Sequence, residues 1–324
     1  MYTERTRFLQ KCKMLLLNRT FIVYGALAFL LLLSGLLNPG SLNRRQLLLL
    51  IRQAVPVAIV SIGQTLVILT GGIDLSVSSN LLFTFGMMPA LTYGSDSLIP
   101  QAFLVCFAWL TAVGLINGIG VAMFGLSPLI VTLGTSSIVQ GILYLYIKGA
   151  ARGSAPPIIA YIGTENFLGF PISIIMWFII AAIFVLILQY TKLGLRIYSV
   201  GSNPSASYLT GVPVKLTIIL VYMFSAWLCM VAGIVLIGYL KQATLAITPV
   251  YTLDSIAAVV LGGTKFIGGE GGVIGTIAGT LILRFLSNLL VIFKISYQGK
   301  QIAQGLIILL IAGVYSGKRI QQSI

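Results

Sequence analysis

The chain has 324 residues, 58% of them hydrophobic and 8% charged, with a mean hydropathy of +1.05. Soluble domains run nearer to about 45–50% apolar and about 25% charged, so a water-soluble globular fold is excluded for want of polar surface to cover it. The net charge of +14 comes from basic residues scattered over tails and short loops; a nucleic-acid-binding face needs them on one stripe, whereas in a membrane protein they set orientation and meet anionic lipid head groups.

Arg5, Arg7, Lys11, Lys13 and Arg19 precede an apolar run over 21–37. The pattern is like the head and core of a signal peptide. The run is long for such a core, however, and Asn38-Pro39-Gly40 is no small-residue cleavage site. It reads as an uncleaved first membrane helix with the N-tail, residues 1–20, in the cytoplasm.

A helix needs about 20 apolar residues to cross a bilayer, so charge-free windows act as a ruler. They run 20–43, 53–73, 75–95, 97–147, 166–191, 216–240 and 301–317. As one helix the fourth would be about 77 Å long, so it must turn, and Gly125-Leu126-Ser127-Pro128 is the place. The stretch 242–293, interrupted by Asp254, Lys265, Glu270 and Arg284, reads as two shorter segments hinged at Gly268-Gly269-Glu270-Gly271-Gly272. The sum is about ten crossings, which places both termini on the cytoplasmic side. Eleven basic residues then fall inside and eight outside, and Arg44, Arg45 and Arg52 on the outside go against the positive-inside rule. The expected fold is all-α: a single polytopic domain over 1–324, with residues 148–165 outside and a cytoplasmic loop over 191–215.

Chemistry-bearing constellations are sparse. With no histidine, Ser-His and Cys-His catalysis are excluded. Cys12, Cys106 and Cys229 lie too far apart to suggest a disulfide framework or a zinc site. No G-x-x-x-x-G-K-[ST] loop is present, so any ATP used must be hydrolysed by another subunit. Chains of intramembrane carboxylates and histidines, as in proton-coupled pumps, are also missing.

The first sharp motif is LTGGIDLSVSS, residues 69–79. Gly71 and Gly72 can end a helix, and Asp74 or Ser76 can cap the next. The motif is then either a capped hairpin or a place of direct solute or ion contact. A second break joins Gly262 and Gly263 to the glycines of 268–272, after Leu253-Asp254-Ser255. Such breaks either line a pathway or let helices pack closely. Third, Asn203 can cap a two-turn helix that begins at Pro204 and ends at Gly211. A helix this short is marginal alone and points to docking on a partner. Gln64, Thr65, Asn80, Thr84, Asn117 and Thr132 are polar residues within or beside spans, suited either to line a path or to bond neighbouring helices.

Four strings occur in order: LTGGIDLSVSS, SPLIVTLGTSSIVQG, KLGLRIYSVGSNPSASYLTGVPV and LDSIAAVVLGGTKFIGGEGGVIGTIAG. Over roughly residues 40 to 315 the chain resembles the permease subunits of bacterial ABC importers for ribose, xylose, galactose and similar sugars. The resemblance implies a monosaccharide permease of the inner membrane, not itself an enzyme. It would pair with a second copy or a paralogue and be fed by a periplasmic sugar-binding protein. The ATPase would carry two fused nucleotide-binding domains and hold ATP and magnesium, leaving this chain without a cofactor. Gly201, Asn203, Pro204, Leu209 and Gly211 would belong to the coupling helix that docks the ATPase. Gly71, Gly72, Asp74, Gly262 and Gly263 would shape the hairpins, with Gln64, Thr65, Asn80, Asn117 and Asp254 as candidates for the path. Membrane lipid is the remaining partner; nucleic acid is not one.

Departures from the family pattern include Ser78 for a usual glycine, Ser205-Ala206 near a usual Ala-Ala, and Thr210-Gly211 for Ser-Gly. Glu270 and Gly272 stand where many members carry basic residues. The same architecture also serves importers of nucleosides, branched-chain amino acids or signalling sugars. A stand-alone transporter or channel would need an ion-coupling constellation, and an intramembrane enzyme would need Asp74 and Asp254 brought together as a dyad.

Overall fold

The computed structural model describes residues 19–150, 152–244, 250–296, 298–299, 301–302 and 305–306. In chain order its helices are α1 (Arg19–Leu37), α2 (Arg44–Leu69), α3 (Val77–Thr92), α4 (Ile99–Ala122), α5 (Pro128–Ile147), α6 (Pro157–Thr164), α7 (Ile172–Tyr190), α8 (Lys192–Ser202), α9 (Pro204–Leu209), α10 (Val214–Leu240), α11 (Val250–Leu261) and α12 (Val273–Ile292). Short 3-10 turns over Pro39–Leu42 and Asp96–Leu98 join spans, and a two-residue hairpin, β1 (Asn166–Phe167) with β2 (Phe170–Pro171), precedes α7.

Long apolar runs become helices because a membrane offers no water to backbone N–H and C=O groups, and a helix satisfies them internally. Seven of the described helices are long and apolar enough to cross: α1, α2, α4, α5, α7, α10 and α12. The chain is a multi-pass membrane protein. The long fourth window breaks between Ala122 and Pro128, at the glycine-serine-proline corner. Helices α3 and α11, with 16 and 12 residues, fall short of the expected crossing length. The last expected crossing, over 301–317, lies outside the described residues apart from 301–302 and 305–306, as do residues 1–18 and 318–324.

Contacts sort the connections into two ends. At one end the Arg44 guanidinium donates to the carbonyl of Gly169, Arg52 donates to Asn166 Oδ1, and the Asp96 carboxylate accepts from the N–H of Ile158. At the other, the carbonyl of Leu69 accepts from the N–H of Gly269, and the Tyr198 hydroxyl donates to the carbonyl of Gly271. Arg44, Arg45 and Arg52 thus stand at the end that carries α6 and the β-hairpin.

Helix α10 is the axis of the bundle, packed against α2, α3 and α4. Small residues allow this: Gly63 lies against the Ser225 backbone, Gly114 against Met223 and Gly233 against Leu81 and Thr84. Close backbone approach through small side chains is what holds helices together in lipid, where apolar contact alone gives little preference for a neighbour.

Candidate functional site

Gly71 adopts φ 80, so the chain turns at the end of α2, and its N–H and that of Gly72 return to the carbonyls of Ile68 and Val67. The following residues do not stay at the surface as a simple hairpin. They run back along α2 into the bundle, where the Gln64 side-chain amide lies against both backbone groups of Asp74; with its nitrogen turned to the Asp74 carbonyl and its oxygen to the Asp74 N–H, the two bonds are 3.2 and 3.3 Å. Helix α3 is short because it starts inside.

The Asp74 carboxylate is 1% exposed and fully engaged. Its Oδ1 accepts from the Ser76 N–H (2.8 Å) and the Ser76 hydroxyl (2.5 Å), and its Oδ2 accepts from the Ser225 hydroxyl (2.8 Å). The Ser76 oxygen in turn accepts from the amides of Asn80 (3.1 Å) and Asn117 (3.0 Å), and Asn117 Oδ1 accepts from the Thr135 hydroxyl (2.7 Å). The expected cap differs in detail: Ser76 sits at the N-cap of α3 without a side-chain cap bond, and Asp74 serves the N–H of Ser76 itself. One network therefore ties α2, α3, α4, α5 and α10 to the re-entrant segment. Thr132 joins it through the N–H of Leu75, and Thr65 bonds to Thr276 on α12. Gln64, Thr65, Asn80, Thr84, Asn117 and Thr132 are all buried within this chain; Thr65, Asn117 and Thr132 bond to other elements, whereas the Thr84 hydroxyl donates to the Asn80 carbonyl of its own helix.

Ser78 has a definite partner. Its hydroxyl oxygen accepts from the Thr252 N–H (2.7 Å) and the Thr252 hydroxyl (2.8 Å), and its own N–H donates to Thr252 Oγ1 (3.1 Å). The departure from glycine ties α3 to the first turn of α11. Ser78→Gly is expected to leave the Thr252 N–H without its acceptor, at about 1–3 kcal/mol for a buried orphan donor. Faster hydrogen exchange confined to the start of α11 would register it.

The outward-projecting element at the second end is α9. Asn203 Oδ1 accepts from the Ala206 N–H (2.9 Å), Pro204 takes the first helical position, and Gly211 follows at φ 81. Tyr208 and Leu209 are 73% and 84% exposed, while Gly201 is buried. A methyl group on Gly201 would overlap the carbonyl oxygen of Leu69 and stand 2.5 Å from the N of Gly269. The helices α8 and α9 are thereby joined to the end of α2 and to the loop between α11 and α12. In that loop Glu270 pairs with Lys265 at 2.5 Å, so the acidic departure is answered within the chain. Gly262 and Gly275 meet backbone to backbone where α11 and α12 pack, and Gly263 turns the chain at φ 88. A cavity of about 590 Å³ lies beside the loop, lined in part by Gln189, Tyr198, Glu270 and Ile274.

Asp254 and Arg284 occupy a third place. Arg284 stands eleven residues into α12, about 17 Å from its start, near the middle of a hydrocarbon core about 30 Å thick. Asp254 lies opposite on α11, which runs antiparallel to α12 through the Gly262–Gly275 and Ala258–Gly279 contacts. Arg284 is within electrostatic reach of Tyr239, Asp254 and Tyr251, and Gln53 donates to the Tyr239 hydroxyl at 3.2 Å. All five are half-buried. A charged side chain turned to lipid at the helix centre costs about 2.5–3.5 kcal/mol on insertion scales. Asp74 and Asp254 have separate partners, so no carboxylate dyad forms. Among the described residues no cluster of three or more His, Cys, Asp or Glu is arranged to hold a metal ion.

A family profile described as branched-chain amino acid transport system / permease component matches residues 46–312. The ribose import permease protein of Haemophilus influenzae is 34% identical over 316 residues, covering 95% of this chain and 96% of that protein. The ribose import permease protein of Bacillus subtilis is 31% identical over 88% of both chains. The fructose import permease protein of Rhizobium meliloti is 31% identical over 82% of this chain and 76% of its own. No solved structure matches the chain.

Proposed function

Because the chain belongs to the family of branched-chain amino acid transport system permease components, we propose that it is the membrane subunit of an ATP-binding-cassette importer for a monosaccharide. The ribose and fructose importers among its relatives support the solute class. In this reading the chain lies in the bacterial inner membrane, pairs with a second copy or a paralogue, and receives sugar from a periplasmic binding protein. The end bearing α9 faces the cytoplasm. There an ATPase, with two fused nucleotide-binding domains, holds ATP and magnesium and supplies the energy.

The observation that carries the proposal is the construction of α9: a capped helix with two exposed apolar side chains, rooted through Gly201 onto Leu69 and Gly269. A helix of six residues does not persist alone in water, and its exposed Tyr208 and Leu209 add nothing to this chain's own core. They suit a groove on a partner. A push on α9 passes by backbone contact to the end of α2 and to the α11–α12 loop, the pieces that must shift if the path is to open alternately to the two sides.

The test is capture of the ATPase in mild detergent. Tyr208→Asp with Leu209→Asp is expected to abolish capture and leave the unfolding midpoint unchanged, because both side chains are exposed. Scrambling residues 203–211 should do the same. If the folded wild-type protein captures no ATPase, the importer reading fails.

A further inference from the structure

Five side chains from four helices come together, from Asp254 and Arg284 at mid-depth to Gln53 and Tyr239 nearer the end that carries α6: Gln53 of α2, Tyr239 of α10, Tyr251 and Asp254 of α11, and Arg284 of α12. The polar network around Asp74 is sealed inside the protein, whereas these five are all half-buried. The Arg284 Nε is itself buried and has no partner among the described residues. A charged side chain left half-open at this depth is costly against hydrocarbon. It is better placed against water, a second protein surface or a polar solute.

We propose that this cluster is the solute contact within the membrane, and that its ligand is a neutral polyhydroxylated molecule of monosaccharide size. The inference rests on the importer reading above and deepens it by naming the site and the ligand's chemistry. One cation and one anion cancel, so a solute of net charge gains nothing here over a neutral one. Vicinal hydroxyls match the set: each accepts from Arg284 or the Gln53 amide and donates to the Asp254 carboxylate or a tyrosine oxygen. The face of α11 and α12 that carries Asp254 and Arg284 is therefore the wall of the path. Lipid lies against the outer faces of helices such as α7, whose exposed positions from Phe178 to Leu186 are apolar.

Two measurements on the full transporter in membrane vesicles decide this. In a Cys12→Ser background the remaining cysteines, Cys106 and Cys229, are buried. Asp254→Cys and, separately, Tyr251→Cys are then labelled with a membrane-impermeant, water-soluble maleimide, with Leu186→Cys on the outer face of α7 as the lipid-facing control. Labelling at least tenfold faster than the control, slowed by D-ribose and not by L-leucine, is the expected result. Labelling no faster than the control overturns the proposal. So does protection by L-leucine alone, since an amino-acid zwitterion also presents one charge of each sign, or the lack of any protection.

The second measurement is ATP-driven uptake of D-ribose. Arg284→Gln should lower it at least tenfold with a raised KM, Arg284→Lys should recover part of the loss, and Tyr251→Phe should cost a few-fold. Uptake within twofold of wild type in all three overturns the site. A wild-type chain that captures no ATPase counts against the importer reading itself, and the labelling comparison still reports which face meets water.

Discussion

Asp74→Ala is expected to give the largest loss of stability among single substitutions at the re-entrant segment, about 3 kcal/mol or more, read as the unfolding midpoint in detergent. The carboxylate satisfies three donors from two elements at once. Removing it strands the Ser76 N–H and the Ser225 hydroxyl in a place without water, and each buried orphan costs about 1–3 kcal/mol. Ser76 then loses the anchor that orients its oxygen toward Asn80 and Asn117, so the loss extends along the network. Asp74→Asn makes the comparison informative. One amide oxygen can still serve Ser76, and the amide nitrogen can donate to the Ser225 oxygen, so the loss should be roughly half. Ser225→Ala, which deletes one donor and leaves Asp74 with Ser76, should cost about 1 kcal/mol. A folded Asp74→Ala protein as stable as wild type would mean that the network does not hold the segment in place.

Gly201→Ala is expected to be nearly as damaging, for a steric reason. The added methyl meets backbone, the Leu69 carbonyl and the Gly269 nitrogen, and backbone cannot rotate out of the way as a side-chain tip can. Overpacking typically costs about 1–3 kcal/mol, and here it also parts the Leu69 carbonyl from the Gly269 N–H that it accepts. The outcome that separates transmission from mere stability is the pairing of two measurements. The variant should still capture the ATPase, since α9 keeps its Asn203 cap and its exposed face, yet sugar uptake per ATP hydrolysed should fall. Gly211→Ala is the contrasting case: it strains a residue at φ 81 but meets nothing within 4 Å, so the junction stays intact.

These residues also show how far the amino-acid order carries. The apolar windows, the break at Gly125-Leu126-Ser127-Pro128 and the Asn203-Pro204 start of α9 are readable because each is a local matter: hydropathy over about 20 residues, a turn-forming string, a cap within three residues. Asp74 was visible as an ionisable residue beside two glycines, but its fate was not. Whether it capped a surface turn or lay buried depended on Ser225, the single serine of a largely apolar helix 151 residues away. The partners of Ser78 and Gly201 are likewise distant, Thr252 for the one and Leu69 with Gly269 for the other.

Composition and local pattern thus determined that this chain crosses a membrane many times, carries no G-x-x-x-x-G-K-[ST] loop and presents a short capped helix outside its spans. Only the tertiary structure decided which polar residues are sealed and which are open. It returned the chain after Gly71 into the bundle, closed the Asp74 network with side chains from five elements, and left Asp254 and Arg284 half-buried at mid-depth. The physical reason is one of range. A helix forms from bonds four residues apart, whereas a buried polar group is satisfied by whichever atom the packing of distant helices brings within about 3 Å.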